Sequence, residues 1–130
     1  MNTYAVIAGI LAAFAAIGHL TIGKKQFLKP MLKADYEIVA KKVMQSVFHY
    51  ITVFLLLSAY MLIMPGIQGA DCMFNATPLF GFIGANYLFF AISQVIIAIR
   101  AKISLLKMFQ WIFWLLISVF SILAANAVNL

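Results

Sequence analysis

The residues of this chain that can do chemistry are few, and most are polar side chains inside long apolar runs. The sequence has only two histidines, His19 and His49. His19 lies five residues before Lys24, and His49 lies seven residues after Lys42. At about 1.5 Å of rise per helical residue, both rings are expected roughly 8 to 10 Å inside the same boundary. We therefore predict that the two imidazoles face one shared cavity.

The glutamines of the apolar runs are expected at a similar level. Gln45, Gln94 and Gln110 each lie within about two helical turns of a Lys or Arg that bounds their run. In hydrocarbon, such amides turn toward the interior of a helical bundle, where they find partners. The sequence therefore predicts one polar site to which all four runs contribute. Its expected ligand-binding residues are His19, Gln45, His49, Gln94, Gln110 and Trp114.

A pocket for an amphipathic small molecule, a lipid or a quinone is the first functional hypothesis for these residues. The imidazoles would hold a polar head group, and the amides of Gln94 and Gln110 would orient it. Phe48, Phe90 and Trp114 would line its apolar part. Apolar walls with a few convergent polar groups are typical of small-molecule sites.

Haem ligation is an alternative, because His19 and His49 at one depth can supply two axial ligands. No other metal site is predicted, since two histidines without an intramembrane Cys or carboxylate leave a zinc shell incomplete. Proton-coupled export is disfavoured, because the apolar runs contain no Asp or Glu. The pattern assigns no catalytic residue.

A purely structural role for the polar residues is the competing hypothesis. Interhelical hydrogen bonds fix the register of membrane helices, at about 0.6 kcal/mol per pair on average. Under this hypothesis, the protein is an accessory or structural subunit of a larger membrane complex.

The chain is also similar, in topology over its whole length, to the membrane-associated glutathione and eicosanoid enzymes. The similarity consists of four spans, outward termini, a basic inner loop and an extended second helix. The second helix of those enzymes carries an Arg, Asn and Glu set for the thiol cofactor. Lys41, Gln45 and His49 occupy a comparable helical row here, without an acid. A glutathione-type enzyme therefore stays an alternative by topology only.

The elements that must position these residues are four apolar runs, at about residues 4–23, 43–64, 79–99 and 108–127. The chain is 66% hydrophobic and 9% charged, far from the composition of soluble domains. Each run can cross a hydrocarbon core of about 30 Å as a helix. We predict an all-α integral membrane four-helix transmembrane bundle, formed by residues 1–130 as a single domain. The first run follows no cation, so we expect a retained span and not a signal peptide.

All nine Lys and Arg residues fall in the loops after the first and third runs. Short basic loops stay cytoplasmic, so both termini are expected on the outer, periplasmic side of the inner membrane. The net charge of +6 then favours anionic lipid headgroups, and not nucleic acid, as partners.

Breaker residues suggest where the helices end. Pro30 is expected to end the first helix, Asp35 to cap a second helix that begins near Tyr36, and Pro65-Gly66 to begin the outer loop. Four thin spans bury little interior, so a homo-oligomer or a complex with other subunits is expected. The small residues Ala5, Gly9 and Ala13 are the candidate contact between chains.

The orientation predicts that Cys72, the only thiol of the chain, lies outside the cell membrane. A membrane-impermeant maleimide should label Cys72 in intact cells. Labelling that requires lysis would contradict the orientation, and a Cys72→Ser variant controls for labelling of other groups.

Overall fold

The computed structural model describes residues 1–68 and 75–127, so Cys72 lies outside the described residues. Within these ranges all regular structure is helical. The helices are α1 (Thr3–Lys33), α2 (Ile38–Gln68), α3 (Thr77–Arg100) and α4 (Gln110–Ala127). Each of the four is long and apolar enough to cross a membrane. The prediction of four such helices is confirmed.

Helix α1 changes its hydrogen-bond spacing along its length. Thr3–Gly18 is α-helical, His19–Leu28 is π-helical, and Lys29–Lys33 is α-helical again. Pro30 does not end the helix, so that prediction is wrong. The change of spacing places Pro30 in the first turn of the last α-helical segment, where a missing N–H is least costly.

Helix α2 begins at Ile38, two residues after the predicted start. Its first turn is capped by Glu37 instead of Asp35, because the Glu37 carboxylate accepts hydrogen bonds from the backbone N–H groups of Val39 at 2.9 Å and Ala40 at 2.7 Å. These two bonds hold the pKa of Glu37 below its usual value, since they favour the charged carboxylate.

The other end of α2 also differs from the sequence prediction, because Pro65 and Gly66 lie inside the helix and not in a loop. Both are buried. The carbonyl of Gly66 accepts a hydrogen bond from the backbone N–H of Asn2 at 2.7 Å. The side-chain amide of Asn2 donates to the carbonyl of Ala124 at 2.9 Å. The N-terminus thus ties the end of α2 to the end of α4, and this packing supports the last helical turn beyond Pro65.

The bundle is assembled around α1, which packs against both α2 and α4, while α3 packs against α4. Helices α2 and α3 meet through aromatic rings: the centroid of Phe54 lies 5.6 Å from that of Tyr87 and 5.5 Å from that of Phe90. A row of buried alanines on α1 faces the core. These residues are Ala5, Ala8, Ala12 and Ala16.

Two of the three residues of the predicted contact between chains, Ala5, Gly9 and Ala13, lie inside the single chain and are not accessible to a second copy. Ala5 and Gly9 are buried inside the single chain. A Cβ on Gly9 would lie 3.0 Å from the backbone nitrogen of Ile63 and 3.1 Å from the backbone oxygen of Ala59. Ala5 and Gly9 therefore serve the close packing of α1 on α2, and Ala13 is half-buried.

This close approach predicts that Gly9→Ala destabilises the bundle, since the added methyl group meets the backbone of α2. We expect a loss of about 1–3 kcal/mol in the free energy of unfolding, as for other overpacked cores. The measurement is denaturant unfolding in mild detergent, followed by circular dichroism.

Gly81→Ala is the matched control, because a Cβ at Gly81 has no atom within 4 Å in the part of the chain that the structure describes. It should be neutral or stabilise by about 0.5–1 kcal/mol, the usual gain of Ala over Gly in a helix. Equal effects of the two substitutions would contradict the packing of α1 on α2.

Candidate functional site

A cavity of about 330 Å³ lies between α1 and α4. Most of its lining is apolar, and three of the predicted site residues line it: His19, Gln110 and Trp114. The remaining lining residues are Leu11, Phe14, Ala15, Gly18, Ile22, Gly23, Phe27, Phe109 and Phe113. The cavity thus combines apolar walls with a few polar groups, as small-molecule sites do.

His19 begins the π-helical part of α1 and is held in place by α2. Its Nε2 lies 3.0 Å from the carbonyl oxygen of Phe48, and its ring stacks on the Phe48 ring with centroids 3.9 Å apart. A carbonyl oxygen can only accept, so Nε2 carries the hydrogen of this bond. In the neutral ring Nδ1 is then a hydrogen-bond acceptor. Within residues 1–68 and 75–127, Nδ1 has no hydrogen-bond partner.

Glycines keep the surroundings of His19 open. A Cβ on Gly23 would lie 3.6 Å from Nδ1 of His19, and a Cβ on Gly18 would meet no atom within 4 Å. Both glycines line the cavity. The side of the imidazole that has no protein partner therefore has space for a bound atom.

The α4 side of the cavity is supported by Gln94 of α3. The Gln94 side-chain N–H groups donate to the carbonyl of Met108 at 3.1 Å and to Oε1 of Gln110 at 2.8 Å. The indole N–H of Trp114 donates to Oε1 of Gln94 at 2.8 Å. These bonds hold Gln110 and Trp114 against α3. Gln94 itself supports the cavity from behind and does not line it.

The two partners of Gln94 also fix the orientation of both amides. Met108 offers only an acceptor and Trp114 offers only a donor, so the oxygen and nitrogen of Gln94 cannot be exchanged. The Gln94 amide nitrogen must then face the oxygen of Gln110. Nε2 of Gln110 keeps its two N–H groups, which have no partner in the part of the chain that the structure describes.

The structure does not bring His49 or Gln45 to this cavity. The His49 side chain is exposed, and its ring contacts Phe48 edge-on with centroids 5.8 Å apart. Gln45 accepts a hydrogen bond from Nζ of Lys42 at 3.3 Å. Phe48, and not His49, is the residue of α2 that contacts His19.

This arrangement also bears on the haem alternative. The two imidazoles do not share a site, because His19 lines the cavity and His49 is exposed and does not line it. Across residues 1–68 and 75–127, no group of three or more His, Cys, Asp or Glu side chains is placed to hold a metal ion. The geometry gives bis-histidine ligation no support.

Sequence reasoning did not assign several aromatic residues of the cavity to the site. Phe109 immediately precedes α4 and Phe113 lies three residues after Gln110, so both are close to Gln110. Phe14 and Phe27 belong to the α1 wall, which extends from Leu11 to Phe27. Helical spacing from Gln110 is a signal for the first two. Phe90 was expected in the pocket, but it packs against Trp114, with centroids 6.3 Å apart, and is not part of the lining.

The fold and this cavity define an all-helical bundle with a lateral pocket at one helix interface. No protein-family model, curated protein or solved structure matches the chain.

The hydrogen bonds of Gln94 predict that Gln94→Leu destabilises the bundle, because it leaves the indole N–H of Trp114 and the carbonyl of Met108 without partners. The expected loss is about 1–3 kcal/mol in the free energy of unfolding. Denaturant titration in mild detergent measures it.

Asn86→Leu on the same helix is the control, because among the described residues the Asn86 amide bonds only to the carbonyl of Phe82 in its own helix, at 2.8 Å. Its effect should stay within about 0.5 kcal/mol. A Gln94 variant as stable as the Asn86 variant would show that the amide network contributes little.

Proposed function

We propose that this protein is a small multi-pass inner-membrane protein that binds an amphipathic small molecule or lipid in the cavity between α1 and α4. The observation that carries the proposal is the cavity itself, with apolar walls and the polar residues His19 and Gln110. The unpaired hydrogen-bonding capacity of both residues favours a binding site over a purely structural role. A polar residue that only fixes helix register has its partners within the protein.

The proposed orientation places the polar part of the cavity near the cytoplasmic surface. His19 and Gln110 are close in sequence to Lys24 and Lys107, and the positive-inside rule puts both lysines in the cytoplasm. Both termini would then be periplasmic. The basic loops would contact anionic headgroups of the inner leaflet.

The cavity is proposed to receive its ligand sideways from the bilayer. Phe14 and Ile22 both line the cavity and are 63% and 49% exposed on the surface of the bundle. In a membrane this surface would face lipid tails. An amphiphile can then keep its head group in the cavity while its apolar tail extends between the surrounding lipids.

An accessory role in a larger complex is the second candidate. It is supported by an exposed apolar face at the start of α2. Ile38, Val39 and Val43 are 62%, 61% and 53% exposed near the end of the helix that follows the basic loop. In the proposed orientation this end reaches the cytoplasm. An apolar face outside the bilayer is a contact surface for another polypeptide.

The two candidates predict different outcomes of purification. A binding protein purified in mild detergent should retain a lipid or other small molecule that mass spectrometry detects, whereas an accessory subunit should co-purify with a defined polypeptide. A stable polypeptide partner and no retained small molecule would contradict the proposed function.

A cavity-filling variant makes the test specific. Gly18→Leu should reduce the retained ligand about tenfold or more, which corresponds to at least ~1.4 kcal/mol of binding free energy. Gly18 lines the cavity, and a side chain there has space to enter it. The change also replaces a poor helix former with a good one, so folding should be preserved.

Gly81→Leu is the matched control, because Gly81 also has open space around its Cβ position but does not line the cavity. This variant should retain as much ligand as the unmodified protein. Equal retention by the two leucine variants would place the ligand elsewhere.

A further inference from the structure

The polar atoms available to a ligand in the cavity between α1 and α4 form a matched pair. Nε2 of His19 donates to the carbonyl of Phe48, so Nδ1 is the acceptor of the neutral ring, and no group of residues 1–68 and 75–127 donates to it. Oε1 of Gln110 accepts from Gln94, and Nε2 of Gln110 is a donor that has no acceptor among the same residues. A ligand that satisfies both atoms must donate one hydrogen bond and accept another.

Amphiphiles that could enter an apolar cavity differ in whether they have both a hydrogen-bond donor and an acceptor. An oxidised quinone or a simple ester has only acceptors, so either would leave Nδ1 of His19 without a hydrogen-bond donor. A carboxylic acid has a hydroxyl group that donates and a carbonyl oxygen that accepts, on one carbon atom. It therefore matches both Nδ1 of His19 and Nε2 of Gln110.

We propose that the ligand of this cavity is a free fatty acid, whose carboxyl group binds between His19 and Gln110; this rests on the proposed function. The acid proton lies in the hydrogen bond to Nδ1 of His19, and the second carboxyl oxygen accepts from Nε2 of Gln110. If the proton moves to Nδ1, the same bond becomes a charge-assisted pair of imidazolium and carboxylate. The hydrogen bond between the acid and His19 thus forms whether the proton is on the carboxyl oxygen or on Nδ1.

The charge around this part of the chain favours an acid over a neutral head group. Lys24 and Lys25 follow the lining residue Gly23, and Lys107 precedes the lining residue Phe109 by two positions. No Asp or Glu occurs between residues 1 and 34 or between residues 72 and 130. Cations thus follow the lining residues of α1 and precede those of α4, and the nearest acids of the first segment, Asp35 and Glu37, lie beyond the end of α1.

The size of the cavity fits part of such a molecule. A water-sized group takes about 30 Å³, so the cavity of about 330 Å³ holds roughly ten of them. The carboxyl group and the first part of an acyl chain fit within this volume. The rest of the chain would leave past the exposed rings of Phe14 and Phe27.

The test uses Trp114 as a reporter, because its indole lines the cavity. Trp111 is the only other tryptophan and does not line it, so a Trp111→Phe protein leaves one fluorophore at the site. The protein is placed in phosphatidylcholine nanodiscs and titrated with dibromostearic acid, with its methyl ester, or with the matching monoglyceride. Bromine quenches tryptophan emission at contact, and the Gly18→Leu form gives the quenching that comes from the bilayer alone.

The acid should quench Trp114 with an apparent affinity about tenfold higher than the methyl ester, the effect of about one hydrogen bond. The ester lacks the proton, and pairing it with Nδ1 would require an uncompensated imidazolium in an apolar cavity. His19→Phe should keep the stacking on Phe48 and remove the preference for the acid. His49→Phe, at an exposed position, should leave the preference unchanged.

Each contrary result has a separate meaning. Equal quenching by acid and ester, or tighter binding of the monoglyceride, overturns the assignment of a fatty acid and leaves a ligand cavity in place. If no compound quenches Trp114 beyond the Gly18→Leu background, the proposed binding function itself fails. The comparison of acid with ester needs no substitution at His19, so it holds even if His19→Phe does not fold.

Discussion

The close approach of α1 to α2 is the contact on which the rest of the bundle depends. Gly9 lets the two backbones come together, and the buried alanines of α1 continue the same narrow face. At this separation Nε2 of His19 lies 3.0 Å from the carbonyl oxygen of Phe48 on α2. Near the π-helical segment, glycines and aromatic side chains replace the alanines toward α4, and the cavity opens there. Helix α1 thus has a tightly packed interface with α2 and an interface with α4 that contains a cavity.

The polar residues near the cavity differ in how many of their polar atoms have hydrogen-bond partners within the protein. Gln94 has partners for both its amide nitrogen and its oxygen, all within the protein. Its role in fixing the position of α4 against α3 is therefore complete without any ligand. Nδ1 of His19 and Nε2 of Gln110 have no hydrogen-bond partner within residues 1–68 and 75–127. Similar residue types at similar depth thus have different roles, which only their partners reveal.

Composition and hydropathy predicted the helices well, because long uncharged apolar runs have few alternatives to helix. The predicted ends of the first two helices were wrong, and the reason is physical. Pro30 and Pro65 are helix breakers in isolation, but a change in hydrogen-bond spacing accommodates the first and burial against α1 supports the second. Neither compensation is visible in a single sequence.

Counting residues along a helix predicts how deep a side chain lies in the bundle, but it predicts less well which neighbouring helix the side chain faces. Rise along a helix follows from counting residues. In the structure Gln94 hydrogen-bonds to Gln110 and Trp114, and His19, Gln110 and Trp114 line one cavity. Direction changes by about 100° with each α-helical residue, so an error of one residue exchanges Phe48 for His49. Which side of α2 faces α1 is decided by close packing at Gly9, a tertiary contact that periodicity alone does not specify.

The tie between Asn2 and the ends of α2 and α4 has a mechanical consequence for the cavity. The bundle consists of two helical pairs, α1 with α2 and α3 with α4, and the cavity lies in the seam between them. Asn2 joins the pairs at one end of that seam through Gly66 and Ala124. The cavity walls are each braced within their own pair, His19 by Phe48 and Gln110 by Gln94. These bonds therefore resist widening of the cavity within each pair, and the bonds of Asn2 resist separation of the two pairs at the end of the bundle away from the basic loops.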